Sequence, residues 1–177
     1  MKIKAELNVN GDSRHSPLLV LKPEETPEHL ALRFAALLVF FNENPVLDVR
    51  ADDPMITNVN FMPDLLVSDP VDGILIWIEC GTIATNKLVK VARRTKHSRF
   101  VILKENPEEA RKTREVLKKH VRDHERIEII AFPEETFQAW LEEVQRTENA
   151  YVYGDASSKG LNLVLNQTPF DISFLPF

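Results

Sequence analysis

Strand-like and helix-like segments alternate along most of this 177-residue chain, and that order predicts a layered α/β domain on a mixed sheet, since helices that follow strands cover its faces. A hydrophobic fraction of 44% beside 28% charged residues fits one domain spanning residues 1–177 with a real core. No internal repeat, low-complexity stretch or interdomain linker breaks the sequence.

The elements follow from local pattern. Residues 1–9 and 17–22 read as two strands joined by the turn residues GDSRHS into an edge hairpin. In PEETPEHLALRFAALLVFF, Thr26 is the expected N-cap and Pro27 the first helical residue; Leu30, Phe34, Leu37, Leu38 and Phe41 form a broad apolar stripe over about 27–41. Val46–Arg50 is a short strand candidate. Met62–Val67 and Ile74–Ile78 are apolar β-forming runs separated by Ser68, Asp69, Pro70, Asp72 and Gly73, which predicts a hairpin. A second helix follows in ATNKLVKVARRTKH, where Leu88, Val91 and Ala92 have helical spacing. Arg99–Leu103 reads as a strand and Pro107 to about Arg122 as a charged helix with a narrow apolar line through Ala110, Val116 or Leu117, and Val121. Ile127–Phe132 is a strand. Pro133 opens a last helix reaching about Thr147 with Phe137, Trp140, Leu141 and Val144 inward, and Tyr151–Tyr153 and Leu161–Leu165 flank the turn-rich GDASSKG as a closing hairpin.

Composition narrows the function classes. The longest apolar run, FAALLVFF, is shorter than the ~20 residues a membrane helix needs, so no membrane partner is expected. Cys80 is the only cysteine and the amino terminus alternates like a strand, unlike a signal peptide, so the expected location is a reducing cytoplasm. A net charge of −5 argues against general affinity for nucleic acid. Yet Lys87, Lys90, Arg93, Arg94, Lys96, Arg99 and Lys104 follow one another with no intervening acid, a basic stretch suited to nucleic acid or to a solvated helix surface. The tail PFDISFLPF is unusually apolar and is expected to dock on the domain or on a second copy, as in a homodimer.

Asp64 and Glu79 are the candidate site. With the hairpin turn centred near Pro70 and Val71, Asp64 falls opposite Trp77, one diagonal step from Glu79, within ~7–8 Å on one face. A slip by one residue would separate them. Ile74–Ile78 is apolar throughout, which predicts a strand buried on both faces, where an acid needs compensation; a divalent cation is one form of it.

Three separated segments carry a family resemblance. KPEETPEHLALR (22–33) resembles the opening helix motif of the YaeQ family, with Arg33 at its arginine; IWIECG (76–81) resembles its strand end, and KLVKVA (87–92) its basic helix. The resemblance implies a restriction-endonuclease-like fold of the PD-(D/E)XK superfamily, with an αβββαβ core, additional edge and carboxy-terminal hairpins, and metal-dependent nuclease chemistry; the alternative is a degenerate, non-catalytic module on the same fold that binds nucleic acid or another protein. It implies that Asp64 and Glu79 bind Mg²⁺ or Mn²⁺ with the backbone carbonyl of Cys80, joined by Glu25 or Glu28 from the first helix. The lysine expected two residues after Glu79 is replaced by Gly81. Lys90 or Lys87, which share a helix face with Arg94 one turn beyond, are the substitutes. Lys87, Lys90, Arg94 and Arg33 are the expected contacts to substrate, with nucleic acid the expected partner.

Each residue also has a plainer role. Glu25 and Glu28 suit the positive amino end of a helix, and Arg33 suits an ion pair with either. Trp77 reads as core or rim, and Cys80 as a small buried residue. His120 and His124, four apart in HVRDH, have the spacing of a zinc pair but lack a protease motif's glutamate and sit among basic residues.

Overall fold

The computed structural model describes residues 1–15 and 19–177. In chain order the elements are β1 (Lys2–Val9), β2 (Asp12–His15), β3 (Leu19–Val20), α1 (Pro27–Val39), β4 (Val46–Leu47), β5 (Leu65–Asp69), β6 (Gly73–Cys80), α2 (Thr85–Arg94), β7 (Arg99–Lys104), α3 (Pro107–His120), β8 (Ile127–Ala131), α4 (Thr136–Arg146), β9 (Asn149–Ser157), β10 (Gly160–Leu165), β11 (Thr168–Ser173) and β12 (Leu175–Pro176). Short 3-10 turns occupy Phe41–Glu43 and His124–Arg126.

These strands form two mixed sheets among the described residues, where one was expected. In the first the order is β11-β10-β9-β1-β2, with β3 also on β1; in the second it is β12-β8-β7-β6-β5-β4. The terminal hairpins make the difference. β1 pairs in parallel with β9 from Lys4↔Asn149 to Val9↔Gly154, so two segments that read separately as edges fuse into a sheet of their own.

α1 and α4 lie between the sheets. Leu30 through Val39 are all buried, and one core joins them to Ile3, Leu7 and Val152 of the first sheet and to Leu65, Ile78 and Val101 of the second. A helix apolar on nearly every side requires such a double cover. Trp140 of α4 stacks on Phe34 with ring centroids 5.6 Å apart and donates its indole N–H to the Ala31 carbonyl at 2.9 Å. The other face of the second sheet, with Leu66, Trp77, Phe100 and Ile102, packs on Leu88, Val91, Ala110 and Leu117 of α2 and α3.

Several expectations shift. The first hairpin turns at Asn10–Gly11, both with positive φ, so Asp12–His15 is strand and not loop; residues 17 and 18 of the expected second strand lie outside the described residues. The last hairpin also turns more tightly, with Gly160 paired to Ser157. β6 is buried on both faces only from Ile76 onward, and Leu75 is exposed. α3 stops at His120 and His124 sits in the following 3-10 turn, which removes the helical i, i+4 spacing that a zinc pair required. The apolar tail docks on its own chain: β11 extends the first sheet, Phe174 is buried, and β12 pairs with β8 through Leu175↔Ala131 in the second. It stitches the two sheets together. No helix among the described residues is long and apolar enough to cross a membrane.

Candidate acid and lysine site

The β5–β6 hairpin sets the site. Its loop is one residue longer than expected, with Asp69 paired to Gly73, and Asp69 Oδ1 accepts the Val71 and Asp72 amides at 2.7 and 3.1 Å. A bulge at Val67/Ser68 adds a further step, so Leu66 lies opposite Trp77 and Leu65 opposite Ile78. Continuing that pairing by one step brings Asp64 across from Glu79, not from Trp77. The two acids are neighbours at this end of the hairpin, since Asp64 holds the Cys80 amide and its charge acts on Glu79, but Asp64 turns to His29 of α1 and Glu79 to Lys87 of α2.

Neither carboxylate is bare. Asp64 Oδ2 accepts the Cys80 amide at 2.7 Å and Oδ1 faces His29 Nε2 at 3.0 Å. Glu79 Oε1 accepts the Trp77 indole N–H at 2.8 Å, and Oε2 pairs with Lys87 Nζ at 2.7 Å, while the same ammonium donates to the Met62 carbonyl at 2.9 Å. The compensation expected of a metal is thus supplied here by side chains. Among the described residues no group of three or more His, Cys, Asp or Glu is placed to hold a metal ion.

Asp64 ends a chain of alternating charges along α1. His29 Nδ1 reaches Glu25 Oε1 at 3.2 Å, Glu25 accepts from Arg33 at 3.0 Å, and Arg33 donates to Asp48 at 2.7 Å, where Lys22 also pairs. Burial raises the cost of a charge on Glu25, but the hydrogen bonds from His29, the Lys22 amide and Arg33 outweigh it and hold its carboxyl at about 2. Burial likewise opposes charge on His29, yet Asp64 and Glu25 lift the imidazole to about 9. Glu79 behaves oppositely. Burial dominates and drives its carboxyl up to about 7 in spite of Lys87.

Of the expected residues, Asp64, Glu79, Cys80 and Lys87 come together. Glu25 reaches Asp64 only through His29, and Glu28 is exposed at the rim of an acidic hollow of about 430 Å³ that also borders Glu24, Glu25 and Glu105. Lys90 lies 5.9 Å over the Phe61 ring and not on Glu79. Arg94 holds the Asn58 and Val59 carbonyls, each at 2.7 Å, and Arg33 is buried between Glu25 and Asp48. Both arginines carry structure here. The burial of the Cys80 thiol pushes it well up, as for an inert core cysteine.

His29, Asp48 and the polar role of Trp77 escaped sequence reasoning, and Lys104, read as part of an exposed basic stretch, is buried. Glu25, His29 and Arg33 recur at i, i+4, a signal for one charged helix stripe, and Trp77 stands two residues before Glu79 on the same strand face. Lys104, buried at the end of β7, donates to the Gly81 carbonyl, and burial lowers its pKa. Gly81 itself has φ +64, a backbone conformation in which a side chain would be strained.

A sequence model of the family described as YaeQ protein matches residues 4–157. The chain belongs to the YaeQ family. It resembles the crystal structure of the YaeQ protein from Xanthomonas axonopodis pv. citri with a TM-score of 0.73 at 17% identity, covering 99% of this chain and 96% of that one. The YaeQ protein from Pseudomonas syringae is similar at a TM-score of 0.72 and 17% identity, with 99% and 93% covered. No curated protein matches the chain. At such identity the likeness to these YaeQ structures carries the fold and not the chemistry.

Proposed function

We propose that Asp64, Glu79 and Lys87 form the centre of a nuclease-type phosphodiester hydrolase that works with Mg²⁺ or Mn²⁺. The observation that carries this reading is the state of Glu79: it is 2% exposed, stands across from Asp64 with an ammonium at 2.7 Å, and still has its carboxyl raised to about 7 by burial. The element order α1, β4, β5, β6, α2, β7, with antiparallel then parallel pairing, supports the restriction-endonuclease-like interpretation.

A divalent ion fits this donor set. Near neutral pH a proton takes up charge on Glu79 that Lys87 leaves uncompensated, and a carboxylate oxygen with one N–H donor keeps a further acceptor site. Asp64, Glu79 and the Cys80 carbonyl are hard oxygen ligands suited to holding it, and Glu25 joins them only if His29 lets go. Such an ion supplies Lewis acidity toward a phosphoryl oxygen and lowers the pKa of bound water. The chain's own residues do the positioning. Trp77 and the Cys80 amide fix one oxygen of each acid, and Lys87 takes the place of the lysine absent at Gly81, keeping positive charge where phosphate charge develops.

A second reading has its own support. Every oxygen of Asp64 and Glu79 already has a donor, two of them cationic, as in a fold that binds nucleic acid without cutting it. Assays on DNA and RNA panels decide between them. Cleavage that requires Mg²⁺ or Mn²⁺ and is lost in Glu79→Gln and in Lys87→Met is expected; salt-sensitive binding without cleavage would falsify hydrolysis and leave the binding role.

A further inference from the structure

We propose that the hollow beside Lys87 is a nucleobase subsite, so that the substrate is a nucleotide unit presenting an unpaired base. This rests on the phosphodiesterase reading of Asp64, Glu79 and Lys87.

Residues 48–64 carry no helix or strand, an irregular segment longer than compact domains usually keep without a use. The segment is nonetheless built and held. Asp53 Oδ1 accepts the Met55 amide at 2.8 Å, the Val59 amide donates to the Ile56 carbonyl at 2.8 Å, and Ile56 and Val59 are buried in the α2-side core. α2 pins it at two places: Arg94 holds the Asn58 and Val59 carbonyls and Lys87 holds that of Met62. Two of the basic residues that looked like a free docking face therefore fix the wall of a cavity.

That cavity measures about 470 Å³, within the ~300–1,000 Å³ of small-molecule sites, and is lined by Ile56, Thr57, Asn60, Phe61, Met62 and Lys87. Phe61 and Met62 offer aromatic and apolar surface for a planar ring. Asn60 brings an amide donor and acceptor for a base edge, and the Thr57 hydroxyl, which donates to the Asp53 carbonyl at 3.0 Å, can still accept. Lys87 closes one end, and its ammonium also touches Glu79, so the hollow and the acid pair share one positive charge.

Charge selects the occupant. Lys87 lines this hollow and Lys90 stands 5.9 Å from the ring of Phe61 in its wall, while nearby Asp52 is paired with Arg50 at 2.9 Å and Asp53 is engaged by the Met55 amide. The hollow on the α1 side is lined by Glu24, Glu25, Glu28 and Glu105 against a single cation, His29, which is itself paired with Asp64 and Glu25, so its excess negative charge disfavours phosphate. A ligand that is anionic at one end and flat and apolar at the other fits the Lys87 side alone. A base can enter such a recess only when it is out of the duplex stack.

The test is calorimetric titration of the full chain, in EDTA, with adenosine monophosphate, cytidine monophosphate and ribose phosphate. At least one nucleotide is expected to bind about fivefold or more tighter than the base-free sugar phosphate, the gain a stacked base gives. Phe61→Ala should abolish that preference, and so should Ala51→Trp, which fills the hollow from its rim without cutting the loop's ties. Equal affinity for all three ligands, or a preference that survives both variants, overturns the subsite. A base preference in a protein that never cleaves keeps the subsite and removes the hydrolase reading; cleavage without base preference does the reverse.

Discussion

Glu25 and Glu79 are both acids with little side-chain exposure, 4% and 3%, at opposite sides of one site, yet their electrostatic states are opposed. Glu25 sits within an alternating chain of cations and anions, and its carboxyl is held at about 2. Glu79 has one ammonium and one indole N–H against nearly complete burial, and its carboxyl rises to about 7. Glu79 is the more deeply enclosed of the two and has fewer donors, and both differences push its carboxyl up relative to that of Glu25. The satisfied side works as structure. The Glu79 side, with fewer donors for its burial, keeps the capacity to exchange a proton, bind a cation or meet a phosphate through Lys87.

The largest expected effect breaks the satisfied side. Arg33→Met leaves Glu25 and Asp48 without their shared guanidinium, and loss of one partner from a buried pair costs ~3–5 kcal/mol, measurable by urea denaturation. Lys87→Met acts on the other side with a smaller cost of ~2 kcal/mol, because Glu79 can accept a proton instead of remaining an unpaired anion. Its carboxyl should move further above about 7, which a carbon-detected NMR titration would follow; an unchanged or lower value would break the contrast.

The pH dependence of stability sharpens the comparison, and the signs differ by residue. Glu25 in the folded state lies below its ordinary 4.5, so its contribution is present above 4.5 and lost as pH falls through about 2. His29 lies above its ordinary 6.5, so its contribution is complete below 6.5 and lost as pH rises through about 9. Glu79 lies above 4.5, so the folded state binds its proton more tightly and stability declines as pH rises from 4.5 through about 7. Glu79→Gln should flatten the lower part of that decline and His29→Gln the upper part, read from urea midpoints across the range. The smallest effect is at Lys90, whose ammonium stands 5.9 Å over the ring of Phe61: Lys90→Ala should cost no more than ~1 kcal/mol.

Much of the site was legible because its signals are local. Thr26 caps α1 by accepting the His29 amide and Pro27 opens it; Phe137, Trp140, Leu141 and Val144 are the buried face of α4, as their spacing indicates. The Asp64 and Glu79 pairing was legible in kind but not in register, since the bulge at Val67/Ser68 has no glycine to announce it. His29 was missed although its i, i+4 spacing was present, because spacing shows that three side chains share a stripe and not that Asp64 lies at the end of it.

The sequence by itself determined the alternation of elements, the Thr26 cap and apolar stripe of α1 and the acid-bearing hairpin, all of which depend on neighbours within a few turns or one loop; it did not place the start of α4, which begins at Thr136 and not at Pro133. Only the tertiary structure decided that the terminal hairpins join through β1 and β9 into a second sheet, that Lys87 rather than Lys90 meets Glu79, and that the tail closes on β8. Those choices depend on pairing and packing between residues far apart in the chain, where the gain comes from burying complementary faces and matching charges in space, and no local pattern records them.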